Sequence, residues 1–201
     1  MCAGDYRHLI IRYGTGVRAG FARQTGNHAA AQLRQACAFS GRFVLPVIRI
    51  DAGAENGLIS DMIACSGLDY CNLANTRSLP LADTLFARFG SPEMRQDIGA
   101  LRLNISGCIN ACTHHHAADI GVSGVNKKGD EHFQISLGGR AGEDVAVGRT
   151  IGPSIAEDPV RDAIAALIEI YRANRQAGES FAASLARLGT EPFKAALHGR
   201  S

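Results

Sequence analysis

An α+β fold, with helices packed on a mixed, mostly antiparallel sheet, is what this sequence predicts. Residues 101–106, 118–125 and 132–137 alternate apolar and polar side chains as strands do. Residues 80–89 and 158–171 carry apolar side chains at helical spacing. The chain has 201 residues, 46% of them hydrophobic, enough for one substantial core or one domain plus an appendage.

Residues 1–55 are the least patterned and are set apart from a domain spanning 56–201. Within them Ala29–Phe39 reads as a helix and Phe43–Ile50 as a short strand, where Pro46 suits a sheet edge. Gly16 to Gly20 does not meet the dinucleotide-binding fingerprint. Gly57–Ala64 is an apolar approach to the first cysteines. Pro80–Phe89 presents Leu81, Leu85, Phe86 and Phe89 on one helix face, with Pro80 in the first turn. Leu101–Ser106 reads as a strand that leads into Gly107 and Cys108.

Ala118–Val125 and His132–Leu137 predict an antiparallel hairpin turning at Asn126–Asp130. The glycines of Gly138-Gly139-Arg140 and Gly148-Arg149 predict a loop that lets backbone approach a ligand closely. Asp158 is the expected N-cap of the next helix, with Pro159 in its first turn and Val160, Ile164, Leu167, Ile168 and Tyr171 as its apolar stripe. Further helices are expected over Glu179–Leu188 and Glu191–Leu197.

Charge excludes little but is informative. With 21 basic and 19 acidic residues, a net +2 gives no case for nucleic-acid binding. No apolar run reaches the roughly 18 residues of a membrane span. The first 13 residues lack the apolar stretch and cleavage site of a secretory signal. A cytoplasmic protein is expected.

In such a reducing compartment clustered thiols read as metal ligands rather than disulfides. Of six cysteines, Cys65, Cys71, Cys108 and Cys112 form two close pairs, in Cys65-Ser-Gly-Leu-Asp-Tyr-Cys71 and Cys108-Ile-Asn-Ala-Cys112. Cys2 and Cys37 stand apart. Two loops of two thiolates each can surround an iron–sulfur cube, and one helical turn would place Cys108 and Cys112 on one face. Spacing leaves two other readings open: a four-cysteine zinc site, against which the longer first gap argues weakly, and buried unliganded thiols. His114, His115 and His116 cannot all face one metal in a regular segment, because successive side chains diverge. They divide between packing and surface, or one of them lines a cofactor pocket and delivers protons. Arg77, Arg102, Lys127, Lys128, Arg140 and Arg149 are either solvated charges or partners for cofactor carboxylates.

The phrases IACSGLDYCNLANTRSLPLA and LRLNISGCINACTHHHAADIGVSGVNKKGDEHFQISLGGRAGEDVAVGRTIGPS resemble the siroheme-binding region of the sulfite and nitrite reductases. The likeness is strongest to the bacterial sulfite reductase haemoprotein, and it extends from about Asn56 through GTEPFKAAL. It implies the α+β fold of that haemoprotein domain. It implies that Cys65, Cys71, Cys108 and Cys112 ligate a [4Fe–4S] cluster, that Cys112 also bridges to a siroheme iron, and that Asn110 lies beside the haem. The implied reaction is six-electron reduction of sulfite to sulfide or of nitrite to ammonia. The implied electron donor is ferredoxin or a flavoprotein reductase.

The sequence departs from the family's pattern in three places. Ser66 and Ile109 stand where the family usually has proline, and Thr113 where glycine commonly follows the last cysteine. The family's substrate-binding arginines and lysines lie largely in an upstream half, to which residues 1–55 correspond poorly. The chain is therefore expected to be a fragment, the product of a truncated or frameshifted gene, or one half of an active enzyme completed by an upstream polypeptide. The competing expectations are a cluster-binding electron-transfer module, a non-catalytic remnant, or a zinc-stabilised binding module.

Overall fold

The structure is a computed structural model that describes residues 10–13, 59 and 62–197. The helix expected over Ala29–Phe39 and the strand over Phe43–Ile50 lie outside the described residues. Among the described residues seven strands form one mixed sheet: Ile10–Tyr13 (β1), Met62–Cys65 (β2), Leu103–Ser106 (β3), Ile120–Lys127 (β4), Asp130–Leu137 (β5), Arg149–Thr150 (β6) and Ile155–Ala156 (β7). The order runs β1-β2-β3-β4-β5-β6, with β7 also pairing β5. Four pairings are antiparallel, as expected of a mostly antiparallel sheet. The two parallel ones join β2 to β3 and β3 to β4.

Those parallel pairings position the cysteines. Parallel neighbours point their C-terminal ends the same way, and ligands of such sheets gather beyond those ends. Strand β2 ends at Cys65, and β3 ends one residue before Gly107-Cys108. The two cysteine-bearing loops therefore leave the sheet at one edge. A parallel pair also needs a return path of a dozen or so residues. Between β3 and β4 that path is residues 107–119, with no helix longer than the turn His115–Ala117, and it carries Cys108, Cys112 and the three histidines.

The expected alternation in β3 is real, but its consequence differs. Leu103 and Ile105 enter the hydrophobic core, while Asn104 and Ser106, on the opposite face, are buried as well. The return path covers that second face, so polar side chains there bond to it rather than to water. Gly121 shows how closely it lies: a β-carbon there would sit 2.1 Å from the His115 carbonyl oxygen.

Among the described residues five α-helices follow the apolar periodicity. Helix α1 spans Ser78–Phe89, two residues longer at its start than Pro80 suggested, with Leu81, Leu85 and Phe89 buried and Phe86 exposed. Helix α2, Pro92–Ile98, opens on Ser91, whose hydroxyl accepts the Met94 N–H at 3.2 Å. Helix α3, Glu157–Asn174, is the central one. All five predicted stripe residues, Val160, Ile164, Leu167, Ile168 and Tyr171, are buried, each contributing about 1.5–3 kcal/mol. Its N-cap is Ala156 rather than Asp158; Glu157 and Asp158 instead sit in the first turn, where negative charge suits the helix dipole. Helix α4, Phe181–Leu188, starts two residues later than expected because Ser180 caps it. Helix α5, Glu191–Leu197, has the expected bounds.

The hairpin is tighter than its turn signal implied. Only Lys128 and Gly129 connect β4 to β5, at φ of 60° and 102°. Positive φ at both positions matches the twist of a two-residue hairpin. The glycine loop after β5 does approach something closely, but that something is the chain itself. A β-carbon on Gly139 would meet the His116 carbonyl oxygen at 2.3 Å.

Candidate metal centre

The first cysteine loop is a compact turn. Gly67, at φ 58°, reverses the chain just after Cys65, and Cys71 N–H donates to the Gly67 carbonyl at 2.9 Å. Thr76 O accepts from Leu68 N–H at 3.0 Å, closing the loop's base. The two loops are then tied at one atom. The Gly107 carbonyl accepts the backbone N–H groups of Asn75 and Thr76 at 2.7 and 3.1 Å, and the Thr76 hydroxyl at 3.5 Å. From the same residue, Gly107 N–H donates to Cys65 Sγ at 2.9 Å. The Ser78 hydroxyl lies 3.3 Å from that sulfur.

The second loop does not form the helical turn that the four-residue spacing of Cys108 and Cys112 suggested. Ala111 and His114 adopt left-handed backbone, φ 54° and 53°, which no α-helix accommodates. Successive tight turns replace it: Ala111 N–H to Cys108 O at 3.4 Å, then His114 N–H to Ala111 O at 2.7 Å. Thr113 anchors the loop to β3. Its hydroxyl is 2.6 Å from Ser106 Oγ, and its carbonyl accepts the Asn104 side-chain amide at 2.7 Å.

Cys65, Cys71, Cys108 and Cys112 are free thiols, Cys108 buried and the others half-buried. Burial, and then the nearby Cys65, Cys108 and Cys71, push the Cys112 thiol above its ordinary range. Among the described residues no three His, Cys, Asp or Glu groups close on a point as one metal ion demands.

Asn110 is exposed at the tip of the second loop. His114 and His116 are exposed too, whereas His115 is half-buried, with Nδ1 2.9 Å from Ser106 Oγ. Burial, followed by the nearby His116, lowers the His115 pKa. Their rings meet edge-on, His115 and His116 at 5.4 Å, and share no focus. Arg77 pairs with Asp69 and Glu131 at 3.8 and 3.9 Å, and Arg140 donates to the Asp144 carbonyl. Arg102, Lys127, Lys128 and Arg149 are exposed. Ser78, Asn104 and Ser106 escaped sequence reasoning, and Thr113 was noted only as a departure from the family's glycine. Their only signal was polar residues beside predicted strand and helix ends.

A mixed sheet with four free thiols on two loops beyond its parallel strands is the arrangement of a metal-binding domain. Comparison with known proteins gives the family. Residues 100–201 match the model of the nitrite and sulphite reductase 4Fe-4S domain. The chain is 31% identical over 124 residues to the assimilatory ferredoxin-dependent nitrite reductase of Haloferax mediterranei, covering 59% of this chain and 21% of that protein. It is 31% identical over 137 residues to the sulfite reductase [NADPH] hemoprotein beta-component of Myxococcus xanthus, covering 66% and 23%. Among solved structures, the NirA protein of Mycobacterium tuberculosis superposes with a TM-score of 0.55 at 29% identity, over 66% of this chain and 26% of that one. Dissimilatory sulfite reductase I superposes with a TM-score of 0.60 at 14% identity, over 70% and 53%, a likeness of fold. The chain belongs to the nitrite and sulphite reductase 4Fe-4S domain family. The curated relatives named here are matched over roughly a fifth to a quarter of their length.

Proposed function

We propose that the chain is the cofactor-binding part of a siroheme-dependent sulfite or nitrite reductase. In this reading Cys65, Cys71, Cys108 and Cys112 hold a [4Fe–4S] cluster, and Cys112 is shared with the siroheme iron. The observation that supports it is the placement of the Cys65–Cys71 and Cys108–Cys112 loops beyond the C-terminal ends of the parallel strands β2 and β3, tied to each other through Gly107. A free-thiol cluster of this kind has the ligand chemistry that iron–sulfur groups take. The surroundings suit a macrocycle as well: Leu68, Tyr70, Leu73 and Ile109 are large apolar side chains exposed on the same two loops. A flat tetrapyrrole supplies the apolar cover that such a surface lacks.

When bound, the two groups supply electrons one at a time to an oxyanion at the haem iron, and thiolate ligation favours cleavage of bonds to oxygen. The chain's own residues hold and orient. The Gly107 carbonyl fixes the two cysteine loops to each other. Thr113, pinned by Asn104 and Ser106, fixes the peptide that carries Cys112. Asn110, exposed at the tip of the second loop, would lie beside the haem.

The cofactor-binding domain runs from about residue 56, and strand β1, Ile10–Tyr13, joins its sheet. A further polypeptide segment completes the oxyanion pocket with the positive charge that a dianion requires. Two of the relatives named above point to candidate donors: one is ferredoxin-dependent and the other belongs to an NADPH-linked enzyme. Among the described residues no helix is long and apolar enough to cross a membrane, and we place the protein in the cytoplasm.

Anaerobically purified full-length chain tests the reading through iron, acid-labile sulfide and visible absorption. Four irons with sulfide support the cluster, and a fifth iron with siroheme bands supports the shared thiolate. One zinc per chain rejects the assignment. Reduction of sulfite or nitrite from a viologen donor then tests catalysis. A fully loaded protein without turnover would instead be an electron-transfer module or a non-catalytic remnant.

A further inference from the structure

Ser78 is the first residue of α1 and is fully buried. Its hydroxyl stands between the two loops: a β-carbon on Gly67 or on Gly107 would each lie 2.9 Å from Ser78 Oγ. Side chains at either glycine would crowd it out. Among the described residues the partner of that hydroxyl is Cys65 Sγ, at 3.3 Å. The same sulfur receives the Gly107 N–H at 2.9 Å. In a metal-free thiol either Ser78 or Cys65 can donate. An iron-bound thiolate has no proton, so the serine hydroxyl must donate and the sulfur accept. One cysteine sulfur would then carry two hydrogen bonds.

We propose that Ser78 is a positioning residue that, through Cys65, sets the reduction potential of the cluster. The proposal rests on Cys65 being a cluster ligand, as argued above. Reduction adds negative charge that the cysteine sulfurs share, and a donor aimed at such a sulfur stabilises the more negative state. The hydroxyl therefore raises the potential, making the cluster easier to reduce by an external donor. Filling space between Gly67 and Gly107 is the purely structural alternative. Removing only the oxygen separates the two roles.

The test uses the full chain, cluster-loaded and kept anaerobic, with parent and Ser78→Ala compared by redox titration monitored by electron paramagnetic resonance. Expected are equal iron and sulfide contents and a reduction equilibrium displaced about tenfold toward the oxidised form, about 59 mV more negative for a one-electron couple. Proton double resonance on parent protein assembled in H2O and in D2O gives an independent reading should the variant not assemble. Two exchangeable protons coupled through one cysteine sulfur support the proposal; a single one, from Gly107, overturns it. A Ser78→Ala protein with the parent's potential also overturns it. A parent without iron and labile sulfide overturns the cluster assignment beneath it, a result distinct from either.

Discussion

The side-chain amide of Asn104 donates to the backbone carbonyl of Thr113 at 2.7 Å, joining the middle of strand β3 to the residue after Cys112. Both residues are buried. The carbonyl has no water within easy reach, so its hydrogen bond must come from the protein. Asn104→Ala leaves it unsatisfied, at a cost of about 1–3 kcal/mol. The expected outcome is a melting temperature lower by roughly 2–4 °C per kcal/mol, together with weaker retention of iron on gel filtration. An unchanged melting temperature would mean that the loop is held elsewhere.

Cys112 carries the most specific chemical claim. Replacing it by serine removes the thiolate on which the proposed haem attachment would depend, since an alcohol is a poor ligand for a site built of soft sulfur donors. Cys112→Ser is expected to lack siroheme absorption and all reductase activity. Absorption bands that survive in this variant would exclude the bridging role. Serine at Cys2 or Cys37, tested in the same way, is expected to leave iron content unchanged. A loss there would show that the wrong thiols were chosen.

Much of this architecture is legible in the sequence. The stripe from Val160 to Tyr171 could serve only a buried helix face, and Lys128-Gly129 lies between two alternating segments of matching length. Four cysteines in two short segments marked the two loops that leave β2 and β3 at their C-terminal ends. What stayed hidden depends on contacts distant in sequence. The parallel partnership of β2 and β3 is invisible because four residues, Met62–Cys65, are too few to show a strand's period. Asn104 and Ser106 look like a solvent face, yet the return path between β3 and β4 covers them. Spacing alone suggested a helical turn from Cys108 to Cys112; the left-handed backbone at Ala111 breaks it, and alanine gives no warning of that.

Ser66 shows how a departure from the family's pattern can be tolerated. Its φ is −65°, the angle at which a proline ring holds the backbone, so serine keeps the shape that the ring would impose. Ser66→Pro should narrow the unfolded ensemble without disturbing the folded loop, adding about 0.4–1 kcal/mol of stability. Thermal unfolding and iron content measure both halves of this expectation. A lower melting temperature would reveal that the Ser66 N–H has a partner the proline removes.

Glu179 governs the acid limit of the C-terminal helices. Its carboxylate accepts the Gln176 N–H at 2.9 Å, the Ser184 hydroxyl at 2.7 Å, and Arg187 through Nε at 2.9 Å and Nη2 at 2.6 Å. These bonds, Arg187 foremost, lower its pKa from 4.5 to about 2. The folded value lies below the ordinary one, so the folded state binds the proton less readily than the unfolded chain does. The stabilisation is complete above about pH 4.5 and drains away as pH falls toward 2. Glu179→Gln cannot form the charged pair at any pH. Its melting temperature is therefore expected to lie below the parent's at pH 7 and to converge on it between pH 4.5 and about 2. The comparison is a difference between two chains treated alike, so acid loss of a cluster affects both and cancels. A gap that stayed constant down to pH 2 would show that Glu179 acts through packing rather than through its charge.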